Sequence, residues 1–445
     1  MTDQILLKYA ARRTPRYTSY PTAPQFGTDI DPVTYAQWLR ALPAEKPVSL
    51  YLHVPFCKAM CWYCGCHTKA TRRIEPVAAY AQTLLREIDL IADIVPARLK
   101  VSHVHWGGGS PSYLPGDELR RLMDRLRSRF DVLDTAEIAM EIDPRLLSDD
   151  FTAAMGETGF TRASFGVQTF DTDVQNAINR PQPFPVVAEA TARIREAGIA
   201  GLNFDLLYGL PGQTEENCRR TAEQALSLSP DRFSVFGYAH VPHLKTHQRL
   251  IPEASLAGTQ ARLRQAEAMA AVLIGAGYAP IGFDHFAKPD DALTRAQAEG
   301  KLRRNFQGYT DDTATTLIGL GASSISELPQ GYVQNIAATH EWDRQVNAGA
   351  VTAARGYRLI PEDRMRREII ARLMCHFEVD TGEIAARHGL AAPAPDLAEL
   401  EADGVVSSYS GVVIVNPQYR TLVRHAAAAF DAHLPASTAV HSVSV

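Results

Sequence analysis

Four cysteines fall within ten residues and are the side chains in this sequence best suited to inorganic chemistry. They are Cys57, Cys61, Cys64 and Cys66, out of six cysteines in the chain. Structural zinc usually takes four ligands, as two cysteine pairs or as cysteines with distant histidines, and no second pair is present. An iron–sulfur cluster fits better, and if the first three thiolates bind three irons, a fourth iron stays open to a small molecule. A zinc site and a group of structural thiols remain the alternatives.

The cysteines directly follow an alternating apolar stretch that predicts a strand over Ser49–Val54. Five further predicted strands are Lys100–Trp106, Glu137–Ile142, Arg162–Gly166, Leu202–Tyr208 and Arg232–Phe236. Helical patterns separate the strands at Val77–Ile94, Asp117–Arg129, Asp149–Thr158, Val186–Ala197 and Thr214–Leu228. This alternation predicts a parallel sheet curling toward a barrel, with functional groups at the carboxyl ends of the strands.

The second predicted strand ends in three glycines, Gly107, Gly108 and Gly109, followed by Ser110 and Pro111. Backbone without Cβ atoms can approach a ligand closely. A triphosphate-binding loop would continue with Gly-Lys-Ser or Gly-Lys-Thr, so the sequence argues against nucleoside triphosphate binding.

Polar residues also follow the other strands. Glu141 closes the third predicted strand, Gln168 follows the fourth, Arg180 follows the next helix and Asp205 ends the fifth. Such groups can hold the hydroxyls and carboxylate of a ligand, whereas buried polar groups in mid-strand need partners in the core. Taken singly, each of these residues is as often a helix cap or part of a loop ion pair as it is a ligand contact.

Together, these motifs resemble those of the radical S-adenosylmethionine (SAM) enzymes, whose signature is Cys-x3-Cys-aromatic-x-Cys after a strand. Further features narrow the resemblance to one family within this superfamily. They are the additional Cys66, the segment Arg16–Thr22, and the stretches Asp284–Ala287 and Asn305–Tyr309. Over nearly the whole chain, the sequence resembles the oxygen-independent coproporphyrinogen III oxidase family.

The resemblance implies one [4Fe-4S] cluster on Cys57, Cys61 and Cys64, with SAM at the open iron and one or two SAM molecules per chain. The positions that match SAM contacts of the family are Tyr51, Tyr63, Gly108, Gly109, Ser110, Glu141, Gln168, Arg180, Asp205, Ala239 and Ile325. Ser110 stands where threonine is usual. Cys66 is a candidate for substrate or radical chemistry, with simple packing as its alternative.

The implied activity is oxidative decarboxylation of two propionates of coproporphyrinogen III to vinyl groups, giving protoporphyrinogen IX in anaerobic haem biosynthesis. A flavodoxin- or ferredoxin-type reductant is implied with it. One alternative is a haem-binding relative of the same superfamily, which typically lacks the Gly65-Cys66 extension and the Arg16–Pro21 arm. The other is a non-enzymatic zinc-binding interaction protein.

The predicted fold class is α/β, a partial (β/α)6 radical SAM barrel with an N-terminal arm and a mostly helical, winged-helix-like C-terminal domain. The predicted boundaries are 1–47 for the arm and a helix, 48–330 for the catalytic domain, 331–434 for a helical lid and 435–445 for a flexible tail. Prolines, hydroxyls and cations alternate within Leu6–Phe26, which favours an extended arm over a helix. Its arginines could meet substrate carboxylates.

The bulk composition is that of an ordinary globular protein, with 46% hydrophobic and 21% charged residues. A formal charge of −5 argues against a nucleic-acid partner, which usually requires a basic surface. The N-terminus does not resemble a signal peptide, and the most apolar stretch, Ala268–Phe283, is interrupted by Gly275, Gly277 and Pro280. We expect a cytoplasmic monomer without a membrane span.

Overall fold

A twelve-stranded sheet forms the centre of the computed structural model, which describes residues 4–434. Its strands in chain order are β1 Val48–Val54, β2 Lys100–Gly108, β3 Asp131–Ile142, β4 Arg162–Gln168, β5 Gly201–Tyr208, β6 Arg232–Gly237, β7 Ala279–Ile281, β8 His285–Ala287, β9 Leu317–Leu320, β10 Ile325–Leu328, β11 Gly331–Gln334 and β12 Arg355–Arg358. In space they are ordered β12-β11-β10-β9-β1-β2-β3-β4-β5-β6-β8-β7. The predicted tail, 435–445, lies outside the described residues.

The strands β1 to β6 lie side by side in chain order, and every adjacent pair is parallel. β9 adds a further parallel strand beside β1, whereas β8 pairs antiparallel with β6. All of the predicted barrel strands are confirmed, and the largest difference is the early start of β3 at Asp131 rather than Glu137. Their carboxyl ends therefore meet at one edge, as the alternation requires.

Helices connect the parallel strands and bury one apolar face each. In α3, the buried residues Val77, Leu84, Ile88 and Ile91 recur at helical spacing, so one stripe faces the core. The helices are α1 Gln4–Ala10, α2 Pro32–Arg40, α3 Glu75–Ile94, α4 Gly116–Arg129, α5 Asp149–Glu157, α6 Thr172–Ala177, α7 Phe184–Glu196, α8 Glu215–Ser227, α9 Thr259–Gly275, α10 Ala292–Ala298, α11 Thr339–Asn347, α12 Pro361–His376, α13 Thr381–His388, α14 Ala398–Ala402 and α15 Val423–Ala428. Within residues 4–434, we find no helix with the length and apolarity needed to cross a bilayer.

The N-terminal segment differs from the predicted arm at its beginning, because Gln4–Ala10 forms α1. Tyr9 and Ala10 are fully buried, so tertiary packing stabilises this helix. The first proline is Pro15, which lies beyond the end of α1. No proline therefore interrupts this helix. From there to Tyr20 the chain has no regular secondary structure.

The C-terminal region combines α12 to α15 with a small antiparallel sheet of Glu378–Asp380, Val406–Tyr409 and Val412–Val415. It has its own apolar cluster, to which Tyr9, Tyr17 and Tyr20 of the N-terminal segment contribute. The helical, winged character is as predicted. β11 and β12 lie in the range assigned to the lid but belong to the central sheet, and the domain boundaries stay predictions.

A buried carboxylate joins the sheet to two helices. Glu87 of α3 is 2% exposed and accepts hydrogen bonds from the backbone of Gly321, from Asn335 Nδ2 at 2.8 Å and from Trp342 Nε1 at 3.0 Å. Burial raises the pKa of Glu87 to about 7, against the opposing effect of these donors. Burial thus disfavours the charged form of the Glu87 carboxyl group in the folded protein.

We expect the Glu87→Gln variant to lose part of the pH dependence of folding. The pKa is higher in the folded chain than the unfolded value of about 4.3, so stability is greatest below that value and falls as pH rises through 7. As pH rises from 5.5 to 8.5, the unfolding free energy of the wild type should fall by about 2 kcal/mol more than that of the variant. Urea unfolding at the two pH values measures this difference. Glu223→Gln, at an exposed position of α8, should leave the slope unchanged. An identical slope in Glu87→Gln would contradict the assignment.

Candidate active site

The cysteine loop begins where β1 ends and is closed by its own backbone. Phe56–Cys57 pairs in parallel with Lys69–Ala70, and the amide of Thr71 donates to the carbonyl of Cys57 at 2.8 Å. On the far side, the amide of Trp62 donates to the carbonyl of Ile178 at 2.9 Å. The loop is therefore fixed at the carboxyl end of the barrel, between β1 and the segment after α6.

Each of the three predicted ligand sulfurs has a polar neighbour. Arg180 Nη1 lies 3.5 Å and Arg145 Nη2 lies 3.7 Å from Sγ of the buried Cys61. The Thr68 hydroxyl lies 3.2 Å from Cys57 Sγ, and the amide of Cys66 donates to Cys64 Sγ at 3.4 Å. Donors around the sulfurs stabilise thiolates and tune iron–sulfur clusters. The residues present therefore fit a cluster held by thiolates.

A carboxylate organises the two guanidinium groups beside Cys61. Asp143 Oδ2 accepts from Arg145 Nη2 at 2.6 Å and from Arg180 Nη1 at 3.5 Å. Burial alone would raise the pKa of Asp143, but Arg180 and Arg145 lower it to about 2. Asp143 therefore stays ionised and holds both arginines toward the cysteine loop.

A short polar segment after β6, residues 245–248, anchors the cysteine loop from the other side. Lys245 Nζ donates to the carbonyl of Cys66 at 2.9 Å, and His247 Nε2 lies 2.7 Å from the carbonyl oxygen of Cys64. Gln248 is fully buried and donates to the carbonyls of Tyr63 at 2.9 Å and Ala239 at 3.2 Å. Sequence reasoning missed this segment, because its contacts span about 180 positions and no local pattern marks them.

We expect Gln248→Ala to loosen the cysteine loop. It removes the bonds to the part-buried Tyr63 and Ala239 carbonyls, each worth about 1 kcal/mol, and the acceptor of the Val241 amide at 2.6 Å. Anaerobically reconstituted protein should lose its iron to a chelator about tenfold faster than the wild type, followed by visible absorbance. Gln213→Ala is the matched control, because Gln213 is also buried and bonds two backbone groups, those of Leu210 and Leu207, away from the cysteines. Equal rates in both variants would refute the anchoring role.

The glycine loop after β2 lies directly against the cysteine loop. Gly108 has φ of +113°, and a Cβ there would lie 2.5 Å from the His53 ring. A Cβ on Gly109 would lie 2.7 Å from the backbone of Phe56, beside Cys57. Glycine is thus required at both positions by contact, and at Gly108 by its left-handed backbone as well.

Glu141 lies at the centre of the barrel mouth. Its Oε2 accepts from the amide of Gly108 at 3.1 Å, and its Oε1 lies 3.4 Å from His105 Nε2. The Tyr51 ring stacks on the His105 ring at 6.0 Å. Burial raises the pKa of Glu141, but His105 and the Gly108 amide outweigh it and leave the pKa below its ordinary value. The Glu141 carboxylate is therefore charged, and it lies beside Tyr51 and Gly108, two of the predicted SAM contacts.

Gln168 and Arg180 also lie at this end of the barrel. Asp205 does not end its strand as predicted, because β5 continues to Tyr208. Gln168 ends β4 with φ of +67°, and Arg180 Nη2 donates to the carbonyl of Gly166 at 2.7 Å. Asp205 Oδ1 accepts from Asn203 Nδ2 at 2.8 Å, and burial raises the pKa of Asp205. Arg180 thus joins the cysteine loop to β4, while Asp205 faces the barrel interior.

The remaining predicted residues occupy different surroundings. Tyr63 packs with an apolar group around Tyr238, and Ala239 is joined to it through Gln248. The Ser110 hydroxyl is buried and lies 2.9 Å from that of Ser112, whose oxygen accepts from the amide of Asp143 at 3.3 Å.

Ile325, at the start of β10, lines a cleft of about 540 Å³ together with Tyr51 and Glu141. Cys66 is exposed at the end of the loop, beyond the three predicted ligand cysteines.

The inner face of the barrel is polar, which sequence reasoning missed. A cavity of about 200 Å³ there is lined by polar residues of β2 to β6, namely His103, His105, Glu137, Glu141, Arg162, Ser164, Asn203, Asp205, Arg232 and Ser234. Most are paired, as in Arg162–Glu137 at 3.0 Å and Arg232–Asp291 at 2.8 Å. The sequence does contain a pattern that indicates this face. Polar residues recur at every second position of these strands, which is the period of a strand with one polar face.

Within residues 4–434, no three histidine, cysteine, aspartate or glutamate side chains are grouped so as to hold a single metal ion. A cluster places each thiolate on a different iron, so it requires sulfurs spread farther apart than the ligands of one ion.

Comparison with known proteins agrees with this geometry. The radical SAM superfamily model matches residues 51–225. The oxygen-independent coproporphyrinogen III oxidase of Bradyrhizobium diazoefficiens is 50% identical over 450 residues, covering 100% of both chains. That of Paracoccus denitrificans is 42% identical and covers 97% of each chain. The chain belongs to the oxygen-independent coproporphyrinogen III oxidase family.

A solved member of the family has the same architecture. The coproporphyrinogen III oxidase HemN from Escherichia coli, described as a radical SAM enzyme, aligns with a TM-score of 0.91 and 39% identity, covering 97% of this chain and 99% of its own. The predicted family and fold class are confirmed. Membership of the radical SAM superfamily implies a [4Fe-4S] cluster and SAM as cofactors.

Proposed function

We propose that this chain converts coproporphyrinogen III to protoporphyrinogen IX by oxidative decarboxylation of two propionates to vinyl groups, in anaerobic haem biosynthesis. The observation that carries the proposal is the three-cysteine loop at the carboxyl end of β1, in a chain that matches oxidases of that name along its whole length. When bound, the cluster and SAM would supply the hydrogen-abstracting radical at the propionate β-carbon, and loss of carbon dioxide and of one electron to an acceptor would then leave the vinyl group. The protein must position the reactants and exclude water.

In this proposal, Cys57, Cys61 and Cys64 hold the cluster. Arg180 and Arg145 support Cys61, and Asp143 keeps both arginines in place. Cys66 is left free for substrate or radical chemistry, supported by its exposed position beside the loop. A Cys66→Ser variant with normal iron content, SAM cleavage and vinyl formation would remove it from the mechanism.

We assign SAM binding to the residues at the barrel mouth. Charged and polar groups on rigid strand ends can hold a ligand in reactive alignment, which can contribute about 7–11 kcal/mol to lowering the barrier. The proposed set, for one or two SAM molecules, is supported by its placement on the cysteine loop, within the barrel strands, at their ends or beside them: Tyr51, Tyr63, Gly108, Gly109, Ser110, Glu141, Gln168, Arg180, Asp205, Ala239 and Ile325. Ser110 would act through its backbone, because its hydroxyl is directed to Ser112.

A second SAM is proposed for the cleft lined by Tyr51, Glu141 and Ile325. Its volume of about 540 Å³ is within the range of small-molecule sites, and it shares Glu141 with the cavity inside the barrel. Equilibrium dialysis of the anaerobic holoenzyme should then give two SAM per chain, and Ile325→Trp, which fills the cleft, should give one. One SAM per wild-type chain would reject the second site.

The N-terminal segment supports exclusion of solvent. The Tyr17 hydroxyl donates to Asp431 at 3.0 Å, and the Tyr20 hydroxyl accepts from the amide of Ala432 at 3.1 Å. Arg16, between these and α1, reaches the carbonyl of Gly237 at the end of β6 at 3.1 Å. The segment thus lies between the barrel mouth and the C-terminal helices, as a cover over the substrate would.

A small acidic flavodoxin- or ferredoxin-type reductant is proposed as the electron donor. The cysteine loop and its neighbouring strand expose Lys58, Lys69, Arg72 and Arg73 in a chain with a formal charge of −5. Opposite charges steer such partners together. The unpaired state of all cysteines supports a cytoplasmic location, and we propose a monomer.

An anaerobic assay tests the function. The reconstituted protein is supplied with dithionite, SAM and coproporphyrinogen III, and 5'-deoxyadenosine and vinyl product are measured together. We expect two molecules of 5'-deoxyadenosine for each protoporphyrinogen IX. Release of 5'-deoxyadenosine without vinyl product would keep the superfamily and reject the substrate, and stable haem binding without turnover would favour a haem-binding role.

A further inference from the structure

A cavity of about 640 Å³ lies outside the barrel and is lined by parts of the N-terminal segment, residues 300–304 and α12. Its volume is within the range of small-molecule sites. Among the described residues, it shares no lining residue with the cavity inside the barrel or with the cleft at Ile325. This cavity is therefore a separate space, to which the proposed function gives no role.

Two arginines that line this cavity have hydrogen-bond donors to spare. Arg303 Nη1 donates to the carbonyls of Asp312 at 3.2 Å and Ala314 at 2.6 Å, and Arg372 Nη1 donates to the carbonyl of Gly300 at 3.4 Å. Within residues 4–434, neither arginine forms an ion pair, and the Nε and Nη2 groups of both have no hydrogen-bond partner. A guanidinium group carries five N–H donors, so most of these donors remain available to a ligand.

A third arginine lies close to these two. Arg304 also lines the cavity, and its Nε is buried without a hydrogen-bond partner among the described residues, although the side chain interacts electrostatically with Asp284. Burial raises the pKa of the Cys375 thiol to about 12, and Arg304, Arg303 and Arg372 act against this rise. The three guanidinium groups therefore lie around Cys375, which is itself part of the cavity wall.

The two carboxylates on the cavity wall have cationic partners of their own. Glu327 Oε1 lies 2.9 Å from Arg367 Nη1. Glu368 lies 2.6 Å from Arg387 Nη2 and 2.8 Å from His388 Nε2. Neither carboxylate bonds to the two arginines with spare donors, so an anionic ligand held there would not have to break an ion pair.

Much of the remaining wall is apolar or aromatic. It includes Tyr20, Leu302, Tyr332 and Ile370. A small-molecule site is typically lined by such side chains, with a few polar groups that fix the orientation of the ligand. The lining therefore suits a large, mainly apolar molecule that carries carboxylates, rather than a small inorganic anion.

A two-stranded antiparallel ribbon separates this cavity from the interior of the barrel. Its strands are Arg303–Asn305 and Gly308–Thr310. The first two residues of the ribbon line the outer cavity, whereas Asn305 and Tyr309 line the cavity inside the barrel. A ligand held by the arginines would therefore contact the same short ribbon that forms part of the wall of the active site.

We propose that the outer cavity binds the product of the proposed reaction, a flat tetrapyrrole with two propionates, and that this binding slows turnover through the ribbon. Arg303 and Arg372 hold the two carboxylates, because guanidinium groups bind carboxylates through paired N–H donors. The inference rests on the proposed function and deepens it, because it names a regulator of the same site. Product bound outside the barrel does not compete with the substrate, so added substrate does not relieve the inhibition.

The first test is binding of protoporphyrin IX, the fluorescent oxidised form of the product, to the anaerobic holoenzyme. Loss of one charge-assisted bond predicts that Arg372→Met binds it about tenfold more weakly. The dimethyl ester, which lacks both charges, should bind the wild type weakly, and Arg372→Met should not weaken its binding further. Arg344→Met is the matched control and should bind protoporphyrin IX as the wild type does, because Arg344 is an exposed arginine of α11 outside this cavity lining.

A second variant leaves all arginines in place. Ala371→Trp should fill the cavity from α12 and weaken protoporphyrin IX binding, with iron content and SAM affinity unchanged. In the vinyl-forming assay, protoporphyrin IX should lower the maximal rate of the wild type without raising KM for coproporphyrinogen III. Arg372→Met should need about tenfold more protoporphyrin IX for the same inhibition.

The outcomes separate this site from the proposed function. Unchanged protoporphyrin IX binding in Arg372→Met and Ala371→Trp, by a wild type that forms the vinyl product, overturns this site and leaves the function standing. Binding of coproporphyrin III that depends equally on Arg372 overturns the assignment of the cavity to the product. A wild type that forms no vinyl product overturns the proposed function and this regulation with it.

Discussion

Replacing Cys61 by serine is expected to abolish both the cluster and the reaction. The serine oxygen replaces a buried thiolate that lies beside Arg180 and Arg145, and one of only three proposed ligands is lost. Iron in the reconstituted protein should fall from about four atoms per chain to below one, with vinyl formation reduced at least about 1000-fold. Cys57→Ser and Cys64→Ser should behave alike. Iron and sulfide analysis with an absorption spectrum is the measurement.

Cys218→Ala is the control for this experiment. Cys218 is fully buried on α8, so the variant removes a comparable thiol without touching the loop. It should keep wild-type iron content. Full iron and sulfide in Cys61→Ser, or a stoichiometric metal other than iron in the wild type, would reject the assignment of the ligands.

Replacing Arg180 should have the second largest effect, chiefly on SAM. Arg180 is 7% exposed, bonds the carbonyl of Gly166 and points Nη1 at Cys61 Sγ. A charge-assisted hydrogen bond contributes about 1.5–3 kcal/mol, so Arg180→Met should bind SAM about 10–150-fold more weakly. Loss of the contact between Arg180 and Asp143, which keeps Arg145 as its partner, should lower the unfolding free energy by about 1.5 kcal/mol. Equilibrium dialysis and urea unfolding measure the two effects.

Arg145→Met separates these contributions. It removes the other guanidinium from Asp143 and Cys61 but leaves Arg180 in place. We expect a loss of stability and a lower cluster potential with SAM affinity nearly unchanged, because donors to a ligand sulfur favour the reduced cluster. Equal SAM affinities in Arg180→Met and the wild type would show that Arg180 only supports the loop.

The cysteine spacing and the six barrel strands could be predicted because both are local signals. Thiolates within one loop need no tertiary information, and strand periodicity is visible in successive residues. The arm was predicted only in part. Its first residues, Leu6–Ala10, are part of α1. This helix is stabilised by the burial of Tyr9 and Ala10 against other parts of the chain.

The contacts that hold the site could not be predicted, because their partners are far apart in the chain. Lys245, His247 and Gln248 reach carbonyls of the cysteine loop across about 180 residues. Arg145 gave no signal, since a lone arginine after a strand is common on any protein surface. Ser110 belonged to a recognisable motif, yet only the packed structure directs its hydroxyl to Ser112.

The sequence by itself determined the family, the fold class and the position of the thiolates, because these depend on residue types at short spacings. Only the tertiary structure decided which side chains surround the sulfurs and which arginines share a cavity. Arg16, Arg262 and Arg424 come from the first, middle and last parts of the chain. Their guanidinium groups come together only when β6, α9 and α15 pack, because no two of these residues are neighbours in the chain.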